Sequence, residues 1–245
     1  MRIRAIALSA VVLLLAAGCG DSEDEPTTTT MLSDSSTITD RVENIEVVTE
    51  AGDVVVVASA TGRVQVERTM RFSSEEPPTT TEDLDGLTLT LRHSCSGRCI
   101  VDYRIQVPVA AGASVETASG EVNVSNITGA VSVDTQSGDV SLIGLAGAVT
   151  VTSASGQVTG AGLTTGTASV EATSGDVVLA FASVPVDVTI DSASGDVVLT
   201  VPRAPYTIEA TSASGEVDVG MASEEGAQSS ITVRVASGDV RITPT

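Results

Sequence analysis

The chain has 245 residues, 32 acids against 12 Lys and Arg, a formal charge of −20, and only 2% aromatic residues with no Trp. So acidic a surface disfavours nucleic acid and bare anionic lipid as partners, and so few rings disfavour the stacking platforms that hold sugars or bases. One His and three Cys bound the metal and nucleophile chemistry that the chain can assemble.

Residues 1–18 read as a secretory signal. Arg2 and Arg4 form a positive start, and residues 5–17 an apolar run too short to span a bilayer, ending in small residues before a cysteine. L-A-A-G-C, from Leu15 to Cys19, resembles a bacterial lipobox, with Leu one place further upstream than in the commonest form. The resemblance implies a lipoprotein: diacylglycerol on the Cys19 thiol, palmitate-type acylation and cleavage before Cys19, which leaves the chain anchored to a membrane. The alternative is an ordinary signal peptide with an incidental Cys. Loss of Arg2 and Arg4 takes the charge from −20 to −22. Residues 19–40 are acidic, rich in Ser and Thr and nearly free of large apolar residues, which predicts a disordered tether.

Residues 41–245 are expected to form one domain, with an irregular cap region over 41–110. Residues 54–71 and 87–92 alternate as strands do, while 73–86, with Pro77, Pro78 and several acids, read as an exposed loop. Cys95 and Cys99 follow in C-S-G-R-C. In an exported chain such a pair reads first as a disulfide around a tight turn. His93 makes the string H-x-C-x3-C, so a zinc site remains an alternative, as do free thiols, although no fourth protein ligand is at hand.

From Gly120 onward one motif recurs, S-G-[DEQ]-V, with its Gly at 120, 138, 156, 175, 195, 215 and 238; Gly52 sits in a diverged A-G-D-V copy. Repeats of this length are units that cannot bury an apolar face alone and must stack. Within each unit Val and other apolar residues alternate with Ser and Thr, so one face of each strand is buried. The inward parity changes across S-G-D, which makes that motif a corner. The corner has constant length: Val47 and Val54, Val133 and Val140, Ile190 and Val197, and Val233 and Val240 all lie seven apart. The opposite corner lengthens, from nine residues (Val122 to Val131) to 14 (Val217 to Ile231). One fixed and one variable corner predict an all-β solenoid of stacked two-stranded rungs, 18–23 residues each. An antiparallel meander with hairpins at S-G-D is the rival fold.

D-Y-R-I-Q-V-P-V-A-A-G-A-S-V, from Asp102 to Val115, leads straight into the repeats. With them it resembles the bacterial putative-adhesin family of SGDV-repeat β-solenoid proteins, over roughly residues 41–245. The resemblance implies a right-handed β-solenoid outside the cytoplasm, often membrane-attached and without enzyme activity. It supplies no catalytic residues to carry over.

The turn acids Asp53, Glu121, Asp139, Asp176, Asp196, Glu216 and Asp239 would stack in such a fold. One carboxylate per rung is too few for calcium, and Gln157 breaks the series, so they read as backbone-bonding turn residues that face solvent. No nucleophile motif, phosphate loop or metal constellation stands out, and no cofactor is expected. The function expected is a non-enzymatic adhesin or ligand-binding module of the cell envelope, monomeric and membrane-bound through its anchor. A structural spacer or envelope-stress component without a ligand is the alternative. If there is a binding ridge, the variable corner is its expected place, where Phe181, Arg203, Tyr206 and Glu224 break the Ser/Thr/Val monotony; inward packing of Phe181 and Tyr206 as caps of the core is the competing reading.

Overall fold

The computed structural model describes residues 29–245. The expected signal, Cys19 and the first part of the tether lie outside these residues. Among those described, no helix is long and apolar enough to cross a membrane, and the regular structure is all β.

The strands are β1 (Thr30–Ile38), β2 (Asn44–Ala51), β3 (Val54–Ser59), β4 (Val64–Phe72), β5 (Thr79–Asp85), β6 (Thr88–Ser94) and β7 (Cys99–Pro108). Then come β8 (Gly112–Ser119), β9 (Val122–Ser125), β10 (Val131–Thr135), β11 (Val140–Ile143), β12 (Val149–Ser155), β13 (Val158–Leu163) and β14 (Thr167–Ser174). The last are β15 (Val177–Phe181), β16 (Asp187–Ser194), β17 (Val197–Val201), β18 (Thr207–Ser212), β19 (Val217–Val219), β20 (Ser230–Ser237) and β21 (Val240–Pro244).

Two sheets of 11 and 10 strands result. Each rung places one strand in each sheet, and successive rungs pair parallel and in register: Val133 sits between Val115 and Val151, and Val140 between Val122 and Val158. Both sheets turn their Val, Leu and Ile rows inward, so a single continuous core runs the length of the stack. β-Branched residues suit these rows because they fit a pleated surface at little cost in rotamer freedom. Parallel in-register stacking is consistent with a solenoid and excludes the antiparallel meander for the repeat region.

The fixed corner holds for two physical reasons, both visible at Gly195. Its φ of +123° belongs to the region that side chains avoid, and a Cβ there would come within 2.3 Å of the Gly175 carbonyl oxygen on the rung beneath. The turn Asp residues bond backbone and stay exposed, as expected, but the amide they take belongs to the neighbouring rung. Each Asp accepts a hydrogen bond from the backbone amide of the next rung: Asp53 from Glu121 (2.9 Å), Asp139 from Gln157 (2.8 Å), Asp176 from Asp196 (2.9 Å) and Asp196 from Asp239 (2.8 Å). The longer side chains do otherwise: Glu121 takes the Asn123 amide and Gln157 the Thr159 hydroxyl.

Rung order departs from chain order at both ends. The unit β2–β3 lies between β6–β7 and β8–β9, and the last unit in sequence, β20–β21, lies between β16–β17 and β18–β19. The 14-residue stretch from Val217 to Ile231 is long because it must return past the rung it has just built.

Two expectations for the N-terminal region need correction. Residues 30–38, expected within the tether, form β1, which pairs antiparallel with β4 along its whole length. Residues 79–85, expected in a loop, form β5, antiparallel to β6. The cap is thus made of β1, β4 and β5, while β2–β3 is an ordinary member of the stack.

Candidate functional site

Three places in the fold carry side chains that the repeat does not require. The first is a groove on the outer face of the 10-stranded sheet, where each strand bends into the fixed corner. It encloses about 620 Å³ and runs across β10, β12, β14, β16 and β20. One wall is a register row, Asp134, Thr152, Glu171, Asp191 and Arg234, one residue per rung. Glu116 continues this row toward the cap. The other wall is low: Gln136, Ala154, Thr173, Ala193 and Ala236. Arg234 closes the far end, 3.8 Å from Asp191 and 3.5 Å from Glu209. The groove therefore offers spaced carboxylates over a floor of small residues, matching an extended chain that carries positive charge.

The second place is the cap. Arg68, in β4, is 5% exposed and faces inward between the sheets. It binds Asp34 of β1 (2.9 Å) and Glu82 of β5, and the Ser36 hydroxyl also donates to Glu82. Burial works against the guanidinium charge, but Glu82 and Asp34 outweigh it and hold its pKa above the ordinary value. The guanidinium lies 6.0 Å from the centre of the Tyr103 ring. The Tyr103 hydroxyl is buried with no hydrogen-bond partner of good geometry, and burial pushes its pKa up to about 12.

Beside Tyr103, with ring centres 6.3 Å apart, is His93. Its Nδ1 is buried and unpartnered, and burial lowers its pKa, with Glu50 opposing. Cys95 and Cys99 are joined in a disulfide, with their Cα atoms 6.3 Å apart. Register explains the position. Val47 pairs with Leu91 and Val54 with Tyr103, so the fixed corner of this rung spans 12 residues instead of seven. The C-S-G-R-C hairpin is an insertion at that corner. His93 lies two residues past Leu91, as Thr49 lies two past Val47. It therefore ends a buried row, in register, of Thr49, Thr117, Thr135, Ser153, Ala172 and Ser192.

The third place is the variable corner, and here the expected ridge does not form. Phe181 and Tyr206 are 3% and 0% exposed. Tyr206 donates its hydroxyl to the Pro202 carbonyl at 2.9 Å. Arg203 and Glu224 remain exposed, and the Glu224 backbone amide donates to the Tyr206 carbonyl. Ser223 and Glu224 lie along the edge of β18, with the Ser223 hydroxyl accepting from the Ile208 amide at 2.9 Å.

Neither the groove nor the Arg68 cluster was read from sequence. The groove's signal was available: one outward position carries Glu116, Asp134, Glu171 and Asp191 on four of five successive units, with Thr152 on the other.

A stack of this architecture, with a capped first end and a repeated Gly-Asp corner, defines a class of extended β repeat proteins. The chain belongs to the Toastrack DUF4097 family, whose model matches residues 39–243. No curated protein matches the sequence. Among solved structures, a putative adhesin from Bacteroides fragilis is 14% identical, with 87% of this chain and 97% of that one aligned at a TM-score of 0.54. A putative lipid binding protein from Parabacteroides distasonis is 10% identical, with coverage of 87% and 96% and a TM-score of 0.35. The first likeness speaks to the fold alone, and the second adds nothing to it.

Proposed function

We propose that this chain is a non-enzymatic binding module of the bacterial cell envelope: an adhesin-type, monomeric, right-handed solenoid with rungs of 18–23 residues, held outside the cytoplasm by acylated Cys19. The groove across β10, β12, β14, β16 and β20 is the observation that carries this reading. Its volume is about 620 Å³, and one wall sets Asp134, Glu171 and Asp191 along a row spaced at about 4.8 Å per rung, with Thr152 between the first two. A ligand that complements it is an extended cationic chain, either an amine-bearing envelope polymer or a basic segment of a surface protein. Charge complementarity of this kind sets specificity and on-rate more than raw affinity.

The test replaces Glu171 and Asp191 with Ser in the full-length protein and measures retention on isolated cell envelopes at several salt concentrations. Two exposed charge pairs of about 0.5 kcal/mol each predict a loss of about fivefold and a shallower salt dependence. Undiminished binding by the folded variant would remove the groove from consideration. If no envelope fraction retains the wild type, the spacer reading stands instead. Detergent partitioning of wild type against Cys19→Ser tests the anchor separately. If both partition as soluble protein, the chain is not acylated there.

A further inference from the structure

In a chain with one His and three Cys, His93, Cys95 and Cys99 converge at one corner. The His nitrogen and the two sulfurs lie within 4.8 Å of one another. Ligands of a tetrahedral zinc ion, bonded at about 2.0–2.3 Å, stand about 3.5 Å apart, so small side-chain movements suffice to close the set. The corner is the one place where the fixed seven-residue turn gives way to a 12-residue one. Stapling a hairpin needs only the two cysteines. It does not explain why a position that carries Thr, Ser, Ala or Val on other rungs carries an imidazole here, with its Nδ1, like the hydroxyls of Thr135, Ser153 and Ser192 in the same row, buried without a partner among the described residues. The imidazole follows if it has a second use beside the two sulfurs.

We propose that reduction of the Cys95–Cys99 disulfide converts this corner into a site for one soft d10 metal ion of the Zn(II) class, with both sulfurs and His93 as ligands. The reductant is a dithiol. Its two thiols close to a disulfide as Cys95 and Cys99 become thiols, so two electrons and two protons pass to this chain. The metal then displaces the two thiol protons to solvent and forms two bonds to sulfur and one to nitrogen. Three protein ligands leave a fourth position open to water or an outside donor, the arrangement of exchangeable rather than closed zinc sites. Thiolate with imidazole selects zinc or cuprous ions over magnesium and calcium. The disulfide is then the metal-free state of the site as well as a staple.

The test uses the full-length protein, either oxidised or reduced with a phosphine under nitrogen and freed of reductant. Zn(II) is titrated in competition with a chromophoric chelator, and Co(II) serves as a spectroscopic stand-in. The expected result is one equivalent bound by reduced protein, none by oxidised protein, and a thiolate-to-cobalt charge-transfer band. His93→Ala should weaken zinc at least tenfold and change the cobalt d–d bands, and Cys95→Ser should abolish the charge-transfer band's two-sulfur intensity. Circular dichroism checks each variant for the β fold. If His93→Ala fails to fold, protection of both wild-type thiols from alkylation by Zn(II), with Mg(II) as control, takes its place. Reduced wild type that binds no metal, or a folded His93→Ala that binds as tightly as wild type, overturns the proposal. So does equal alkylation with and without zinc.

Discussion

The two ends of the stack solve the same problem in opposite ways. At the first end β1, β4 and β5 close over the core, and the closing strands are tied by Arg68 to Asp34 and Glu82. At the other end β18 and β19 are bare sheet edges. Val217 is 39% exposed there. Only Ser223 and Glu224 satisfy part of the β18 edge. An open edge is a template for unwanted pairing, and both ends must blunt it. The first does so with a buried charge cluster, which is rigid and intolerant of loss. The second does so with one loop and with chain order, because the last rung is inserted behind the edge it supports.

The largest effect should come from deleting residues 230–245. Among the described residues this removes the only sheet partners of β18 and β19, and it exposes β16 and β17. Ile231, Val233, Val235, Val240 and Ile242 are all buried, each worth about 1.5–3 kcal/mol. Their sum reaches the whole stability of a typical domain. Thermal unfolding should lose cooperativity, and a deletion variant that melts like wild type would show that the second end is independent of its inserted rung.

Next comes Arg68→Ala. It leaves Asp34 and Glu82 facing a core without their cation, which costs about 3–5 kcal/mol for a buried pair. Urea unfolding measures it, and a loss below about 1 kcal/mol would mean that the cap is held by its strands and not by its charges. Tyr103→Phe sharpens the same point through pH. The folded pKa is raised above the unfolded one, so its contribution is fully present below pH 10.0 and is lost as pH rises through about 12. A shift of this size corresponds to about 3 kcal/mol. Wild type should lose more stability between those limits than the Phe variant, which keeps the alkaline loss due to Tyr206, whose pKa burial also raises. An identical pH slope in both would assign the loss to other groups. The smallest effect is Ser223→Ala, about 0.5–1.5 kcal/mol for the bond to Ile208. Its more telling readout is self-association in sedimentation, since the variant uncovers part of the β18 edge.

The repeat body was legible because its signal is redundant. Each inward row is apolar, each corner has its Gly, and the inward positions on either side are seven residues apart throughout. The cap was not legible, for a physical reason. The inward positions of β1 are Leu32, Asp34, Ser36 and Ile38, and those of β5 are Thr80, Glu82 and Leu84. Half or more are polar, so no alternation of hydrophobicity marks them as strands. Only Arg68, far away in sequence, makes those acids tolerable inside. Phe181 and Tyr206 could be read from sequence either as a binding surface or as caps of the core, and they pack inward. Rung order at the ends depends on which segment docks last, and local pattern does not encode that. The groove lay in plain view as a recurring outward acid, but its concavity comes from the bend of the strands and not from residue type.

The Asp bonds along the fixed corner all point one way. Asp102, Asp53, Asp139, Asp176, Asp196 and Asp239 each present a carboxylate to the amide of the rung beyond, away from the cap. In space the last rung is β18–β19, and its corner acid is Glu216, which donates its amide to Asp239 at 2.8 Å. At Glu121 the longer side chain bends to its own strand instead of receiving a neighbour. If Glu216 does the same, a second molecule arriving at this end finds no acceptor for its first amide. The junctions beyond Glu121 and Gln157 lack the same bond and still pair, so its loss at Glu216 weakens this end as a template without closing it. The first end finishes in β1, an antiparallel strand that does not offer the parallel pairing of a rung. A fold built by adding rungs is in this way biased at both ends against growth from molecule to molecule.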